Sequence, residues 1–258
     1  MPIMESVAFS YDGKYSNDFG IVNITADSGM YKEQYLASRS IIEQTIAGNP
    51  KPYFNRIEYE PIALSLTFAF ENGWDDKKYR EVARWLGNQE YYKPLFFAEN
   101  PTRIFYCMLS DEPELVHNGN KQGYITLNMR CDSPYTYSPI MVSKKLDYSN
   151  NVSGATYTIA NDGDLICKPE IFIKKIGVGD ISIVNTTNKN KEFKFVGLAN
   201  NEIVYIDNER EHIETDVPLT YRYSNFNNNY LELVRGINTL TITGKAIISF
   251  RYQFKTLG

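Results

Sequence analysis

The sequence predicts a mainly β protein of two domains, the first carrying one α-helix and the second none. Four observations carry this reading. Runs of residues alternate large apolar with small or polar along their length, the period of two that puts one face of a strand in a core. Only one segment has a helical apolar stripe. A proline-containing break near residue 134 separates a half with that stripe from a half built of short strands and turn clusters. Tyrosine (20) and phenylalanine (14) are abundant, and such rings favour pleated, half-buried surfaces.

The clearest strand runs from Ile62 to Phe70. Ile62, Leu64, Leu66, Phe68 and Phe70 share one face, with Ala63, Ser65, Thr67 and Ala69 on the other. Pro61 stands at its start, where a missing N–H is tolerated. The helix follows. Asp75 caps it, Asp76 suits its positive end, and Tyr79, Val82, Ala83 and Leu86 share a face before Gly87 and Asn88 stop it. Trp85 falls at the edge of that stripe, where it is expected to pack on a neighbouring loop. Pro94 to Phe97 is a short apolar strand, Arg103 to Leu109 is apolar on both faces and is expected to be central, and Gly123 to Cys131 alternates again.

Pro134 and Pro139 set the boundary, giving a first domain of residues 1–138, a β-sandwich or barrel with one helix, and a second of residues 139–258, a β-sandwich. In the second, turn clusters recur at Asn161–Asp164, Gly177–Asp180, Asn200–Asn201, Asp207–Asn208 and Asn227–Asn229. Strands are expected at Ile171–Lys175, Ile181–Val184 and Ile203–Asp207, and a β-hairpin through Thr243-Gly244-Lys245 is expected to join the last two.

With 258 residues, 43% hydrophobic and 22% charged, the chain is too apolar to be disordered and long enough for two cores without a staple. The net charge is −4 and no basic run appears, so no specific nucleic-acid partner is expected. No apolar stretch reaches membrane-spanning length, so no membrane insertion is expected, and the first 20 residues do not read as a secretory signal. Cys107, Cys131 and Cys167 are odd in number and widely spaced, and read as small buried hydrophobes in a reducing compartment.

Catalytic patterns are missing. His117 and His212 lie outside any ligand spacing and read as solvated loop residues. Gly177-Val178-Gly179 opens no helix, and no nucleophile elbow occurs. Asn161-Asp162-Gly163-Asp164 has too few downstream oxygens for calcium and reads as a hairpin turn. No catalytic residue, metal or cofactor is assigned, and the chain is not expected to be an enzyme. Tyr221, Tyr223, Phe226 and Tyr230 surround an asparagine run, a mixture that can stack on sugars but more often belongs to strands flanking a loop.

The order of these elements resembles the distal tail protein family of siphophages. The resemblance rests on Phe9 to Lys14 leading to Asp18-Phe19-Gly20-Ile21, on Ala47-Gly48 ahead of the Ile62–Phe70 strand, and on Arg84-Trp85-Leu86 before Pro94–Phe97. It continues through Tyr124–Cys131 with Ser133-Pro134-Tyr135, Ile159–Asp164 with Pro169-Glu170-Ile171, and Leu233–Leu240. It implies a tail-tube-like first domain that forms a ring, usually a homohexamer, and a galectin-like or carbohydrate-module-like second domain facing outward. The implied partners are copies of itself, the tail tube protein, and a tail-tip protein bearing receptor-binding or lytic modules. The implied place is the virion tail tip, after synthesis in a bacterial host cytoplasm. The alternative is a carbohydrate-binding protein acting in attachment to the host cell wall.

A ring needs two different patches that meet head to tail. The segment Ala47 to Tyr59 is long for a hairpin loop and rich in rings, so Tyr53, Phe54, Arg56 and Ile57 are the expected interface residues.

Overall fold

The computed structural model describes residues 6–24, 34–151 and 154–258. It forms two compact units, Met1–Tyr137 with Leu257–Gly258, and Ser138–Thr256.

In the first unit the described strands are β1 (Phe9–Tyr11), β2 (Lys14–Tyr15), β3 (Ile21–Asn23), β4 (Arg39–Gln44), β5 (Tyr53–Tyr59), β6 (Ala63–Phe70), β7 (Lys93–Phe97), β8 (Asn100–His117), β9 (Gly123–Cys131) and β10 (Tyr135–Tyr137). One helix, α1 (Asp76–Gly87), lies between β6 and β7. The main sheet runs β2-β1-β7-β8-β9-β6-β3, with every neighbouring pair antiparallel.

This sheet curls on itself. Phe9 of β1 stacks on Phe68 of β6 at 4.6 Å although three strands separate them in the sheet. The Asn23 N–H, on the far edge, donates to the Val7 carbonyl at 2.9 Å. Curling brings Leu66, Phe68, Leu95, Phe97, Phe105, Leu127 and Met129 into one core. The alternation read in Ile62–Phe70 holds residue by residue, for all five large side chains are buried. The stretch read as central, Arg103 to Leu109, lies in the first half of β8, the strand between β7 and β9.

The helix forms where its sequence puts it, with the Asp75 carboxylate accepting from the Lys78 N–H at 2.7 Å. Its inward face is turned relative to the expected stripe. Val82, Trp85 and Leu86 are buried, whereas Tyr79 and Ala83 are exposed. Trp85 does stack on a neighbouring turn, at Phe19 with centroids 4.3 Å apart, but it also faces Phe9 and donates its indole N–H to the Tyr11 carbonyl at 2.8 Å. The largest ring on the helix has the most apolar area to remove from water and takes the central place.

In the second unit the strands are β11 (Met141–Val142), β12 (Leu146–Asp147), β13 (Ala155–Asn161), β14 (Glu170–Lys175), β15 (Gly179–Asn185), β16 (Lys191–Leu198), β17 (Ile203–Asp207), β18 (His212–Thr215), β19 (Gly236–Thr243) and β20 (Ala246–Tyr252). One sheet runs β11-β20-β14-β17-β18, with β12 also on β20, and the other runs β13-β19-β15-β16. Ile171, Ile173, Val204, Ile206, Ile248 and Phe250 of the first meet Ile181, Ile183, Phe193, Phe195, Leu240 and Ile242 of the second in one core. That is a two-layer sandwich.

Two turn assignments from sequence are corrected. β19 and β20 do not pair with each other. β19 lies between β13 and β15, and β20 carries β14, β11 and β12, so Thr243-Gly244-Lys245 is an arch between the two layers. Both strands aim large residues at the same core, which a hairpin within one sheet would also do, and alternation alone does not tell the two apart. Asn161–Asp164 is likewise no hairpin turn, since β13 and β14 belong to different sheets. The buried Asn161 holds that crossover, donating to the carbonyls of Leu165 and Leu233 and accepting from the Gly163 N–H. The two histidines, read as loop residues, sit on strands: exposed His117 ends β8, and exposed His212 begins β18.

Candidate assembly surface

The segment that carries the predicted interface residues is a strand rather than a loop. Tyr53–Tyr59 pairs with Arg39–Gln44 as a two-stranded sheet of its own, off the main sheet, and the connecting loop shrinks to residues 45–52. The turn is set by Gly48 at φ +86° and by the Asn49 N–H bonding to the Ile46 carbonyl. At the base, the Glu60 N–H bonds to the Ser38 carbonyl at 2.9 Å.

Every residue of β5 is exposed, including Tyr53 at 55% and Phe54 at 61%. On one face Ile41 opposes Ile57 and Arg39 opposes Tyr59. A bulge between Ile42 and Glu43 against Phe54–Arg56 leaves Asn55 unopposed and resets the register before Phe54. Arg56 donates its Nε–H to Glu58 at 2.8 Å, so its charge is already matched on its own strand. An isolated two-stranded hairpin is marginal in water, and this one shows rings and isoleucines to solvent. Of the four expected interface residues, Tyr53, Phe54 and Ile57 thus present apolar surface, and Arg56 presents an ion pair. Ile41 on the partner strand was not singled out from sequence. Its segment, Arg39-Ser-Ile-Ile-Glu-Gln, alternates too weakly to show its pairing with β5.

A groove opens between α1 and the second half of β8. A bulge between Ser110 and Glu114, with Asp111 at φ +64°, bends β8 there. The groove encloses about 170 Å³ lined by Val82, Ala83, Leu86, Leu109, Leu115 and Ile125. Leu115 stands behind the acidic run Asp111-Glu112-Pro113-Glu114, and no sequence pattern read above marks this surface.

The second-unit aromatics do not form one surface. Phe226 is a core ring, stacked on Phe195 at 4.8 Å, so of the four rings it is the one closed to a sugar and not the sugar-facing aromatic the mixture allowed. Tyr230 packs against Phe226 and donates its O–H to the Glu211 carbonyl. The Tyr223 hydroxyl accepts from the Ile213 N–H, and Tyr221 is exposed. A buried ion pair fixes the loop that bears them. Arg222 grips Glu202 with two bonds of 2.7 Å, and Glu202 also accepts from the Thr215 hydroxyl and the Ala199 N–H. Burial alone would raise the Glu202 pKa, but the bonds from Arg222, Thr215 and Ala199 outweigh it and hold the carboxyl below its ordinary value. Among the described residues no three of His, Cys, Asp or Glu gather to hold a metal, and no helix is long and apolar enough to cross a membrane.

Comparison with known proteins accounts for both units. The SPP1 Dit protein (gp 19.1), described as a paradigm of hub adsorption apparatus in Gram-positive infecting phages, superposes with a TM-score of 0.69 over 96% of this chain and 98% of that one, at 16% identity. A chain of the phage P2 baseplate in its activated conformation with Ca gives 0.51 over 96% and 97%, at 7% identity. The fold is therefore the one seen in the SPP1 Dit protein and in this P2 baseplate chain. An SPbeta prophage-derived uncharacterized protein of Bacillus subtilis (strain 168), YomH, is 32% identical over 255 residues, 99% of this chain and 100% of that one. A family model described as a phage tail protein N-terminal domain matches residues 4–133, and one described as a phage tail C-terminal domain matches residues 141–252. The chain belongs to this family of phage tail proteins.

Proposed function

We propose that the chain builds the distal ring of a phage tail, a homohexamer that joins the tail tube to the tail tip or baseplate and to the receptor-binding or lytic proteins there. Residues 1–138 would be the ring domain and residues 139–258 the peripheral sandwich. The role is structural and calls for no catalysis. The observation that carries the reading is the β4–β5 arm, a hairpin that shows Ile41, Tyr53, Phe54, Ile57 and Tyr59 to solvent on the unit that would form the ring. A head-to-tail ring requires a surface of this kind that meets a different surface on the next copy. The two solved relatives support the place in the virion, one described as an adsorption-apparatus hub and the other as part of a baseplate.

Electron micrographs of the purified protein, paired with its mass by light scattering, test this. Six-fold rings at high concentration are expected. Small compact particles of monomer mass at every concentration would remove the ring from consideration.

A further inference from the structure

We infer that the groove between α1 and β8 receives the β4–β5 arm of the neighbouring copy, with the Phe54 ring as the inserted group. This rests on the ring reading above and names the second of its two patches. Both patches lie on the same unit and differ in shape, one convex and one concave, as head-to-tail contact demands. The sizes agree. A dry apolar cavity of about 150 Å³ holds a benzene, and the groove encloses about 170 Å³ with aliphatic walls from Val82, Leu86, Leu109, Leu115 and Ile125.

The area agrees as well. Ile41, Ile46, Tyr53, Phe54, Ile57 and Tyr59 together expose the equivalent of about three whole large side chains. At roughly 200 Å² each that is about 600 Å², most of the ~800 Å² that one partner gives to a standard interface. Phe54 is the most exposed ring of the arm, and the β5 bulge brings it opposite Glu43, onto the face that carries Ile41, Ile57 and Tyr59.

Complementary defects test the assignment in the full-length chain. Phe54→Asp spoils the arm, and Ala83→Arg, on the exposed side of α1, fills the groove. Each variant alone is expected to melt like wild type and to run as a monomer of 29.7 kDa. Mixed in equal amounts at high concentration, they are expected to form a dimer of twice that mass and nothing larger, because each copy keeps one good patch. Should Ala83→Arg assemble like wild type while Phe54→Asp does not, the groove is excluded and the ring survives. Should wild type itself never assemble, both fall. A photoreactive phenylalanine at position 54 asks the same question without touching the groove. Crosslinks to residues 76–87 or 100–117 of another copy are expected, and crosslinks confined to other segments would overturn the assignment.

Discussion

Ile41 and Ile57 face each other across the β4–β5 arm, and both are open to solvent, at 62% and 36%. Two isoleucines opposed on a strand pair are ordinarily the inside of something. Replacing Ile57 with aspartate removes its cross-strand contact with Ile41 but none with the core of the unit, a loss of about 0.2–1 kcal/mol. Its unfolding free energy should therefore stay within about 1 kcal/mol of wild type. Assembly measured by light scattering should be lost. A large drop in melting temperature would show that the arm is instead part of its own unit's core.

Trp85 ties α1 to β1 through the Tyr11 carbonyl. Trp85→Phe keeps an aromatic ring between Phe9 and Phe19 but loses the indole bond to that carbonyl, at a cost of about 0.5–1.5 kcal/mol. Trp85→Ala should cost about 3–5 kcal/mol. Denaturant melts of the two variants check the order.

Glu202 and Arg222 predict an acid response. The Glu202 carboxyl is held below its ordinary 4.5, so its contribution to stability is complete above that value and is lost as pH falls through the lower folded value. Glu202→Gln leaves the Arg222 charge largely buried without its partner and should cost about 3–5 kcal/mol at neutral pH. Below pH 4.5 the gap between the variant and wild type should narrow. A gap that is constant with pH would rule out the carboxylate as the source.

The three thiols should be inert in the folded protein. Burial pushes Cys167 up to about 11, and Cys107, opposite Cys131 across β8 and β9, is raised by its bond to that thiol and by burial. A chromogenic thiol reagent at pH 8 should find almost none reactive until denaturant is added, and then three. Fast reaction of one thiol in the native protein would contradict this.

Gly244 is expected to resist substitution. It sits at φ +104°, and a Cβ there would lie 2.4 Å from the Asp180 carbonyl oxygen. Gly244→Ala should destabilise the chain by more than about 1 kcal/mol. Gly48, also at positive φ, has open space around its Cβ position, so Gly48→Ala meets only the backbone penalty and should cost less. Thermal melts of the two variants side by side test the difference.

The sequence by itself determined which residues share a face. The period of two from Ile62 to Phe70, the cap at Asp75 and the proline break at 134–139 are local patterns, and each reports a local dihedral or solvation preference. It could not determine which strand lies beside which. Leu240–Ile242 and Ala246–Phe250 alternate alike whether they form a hairpin or face each other from two layers, and only the packed core put them in opposite sheets. The same holds for Trp85, drawn inward by rings from distant β1 and the turn at Phe19, and for Phe226, which sequence left among surface rings. The arm and the groove are further examples. A strand signal at Tyr53–Tyr59 says nothing of whether a core covers it, because burial is a property of everything folded around a residue rather than of its neighbours in the chain.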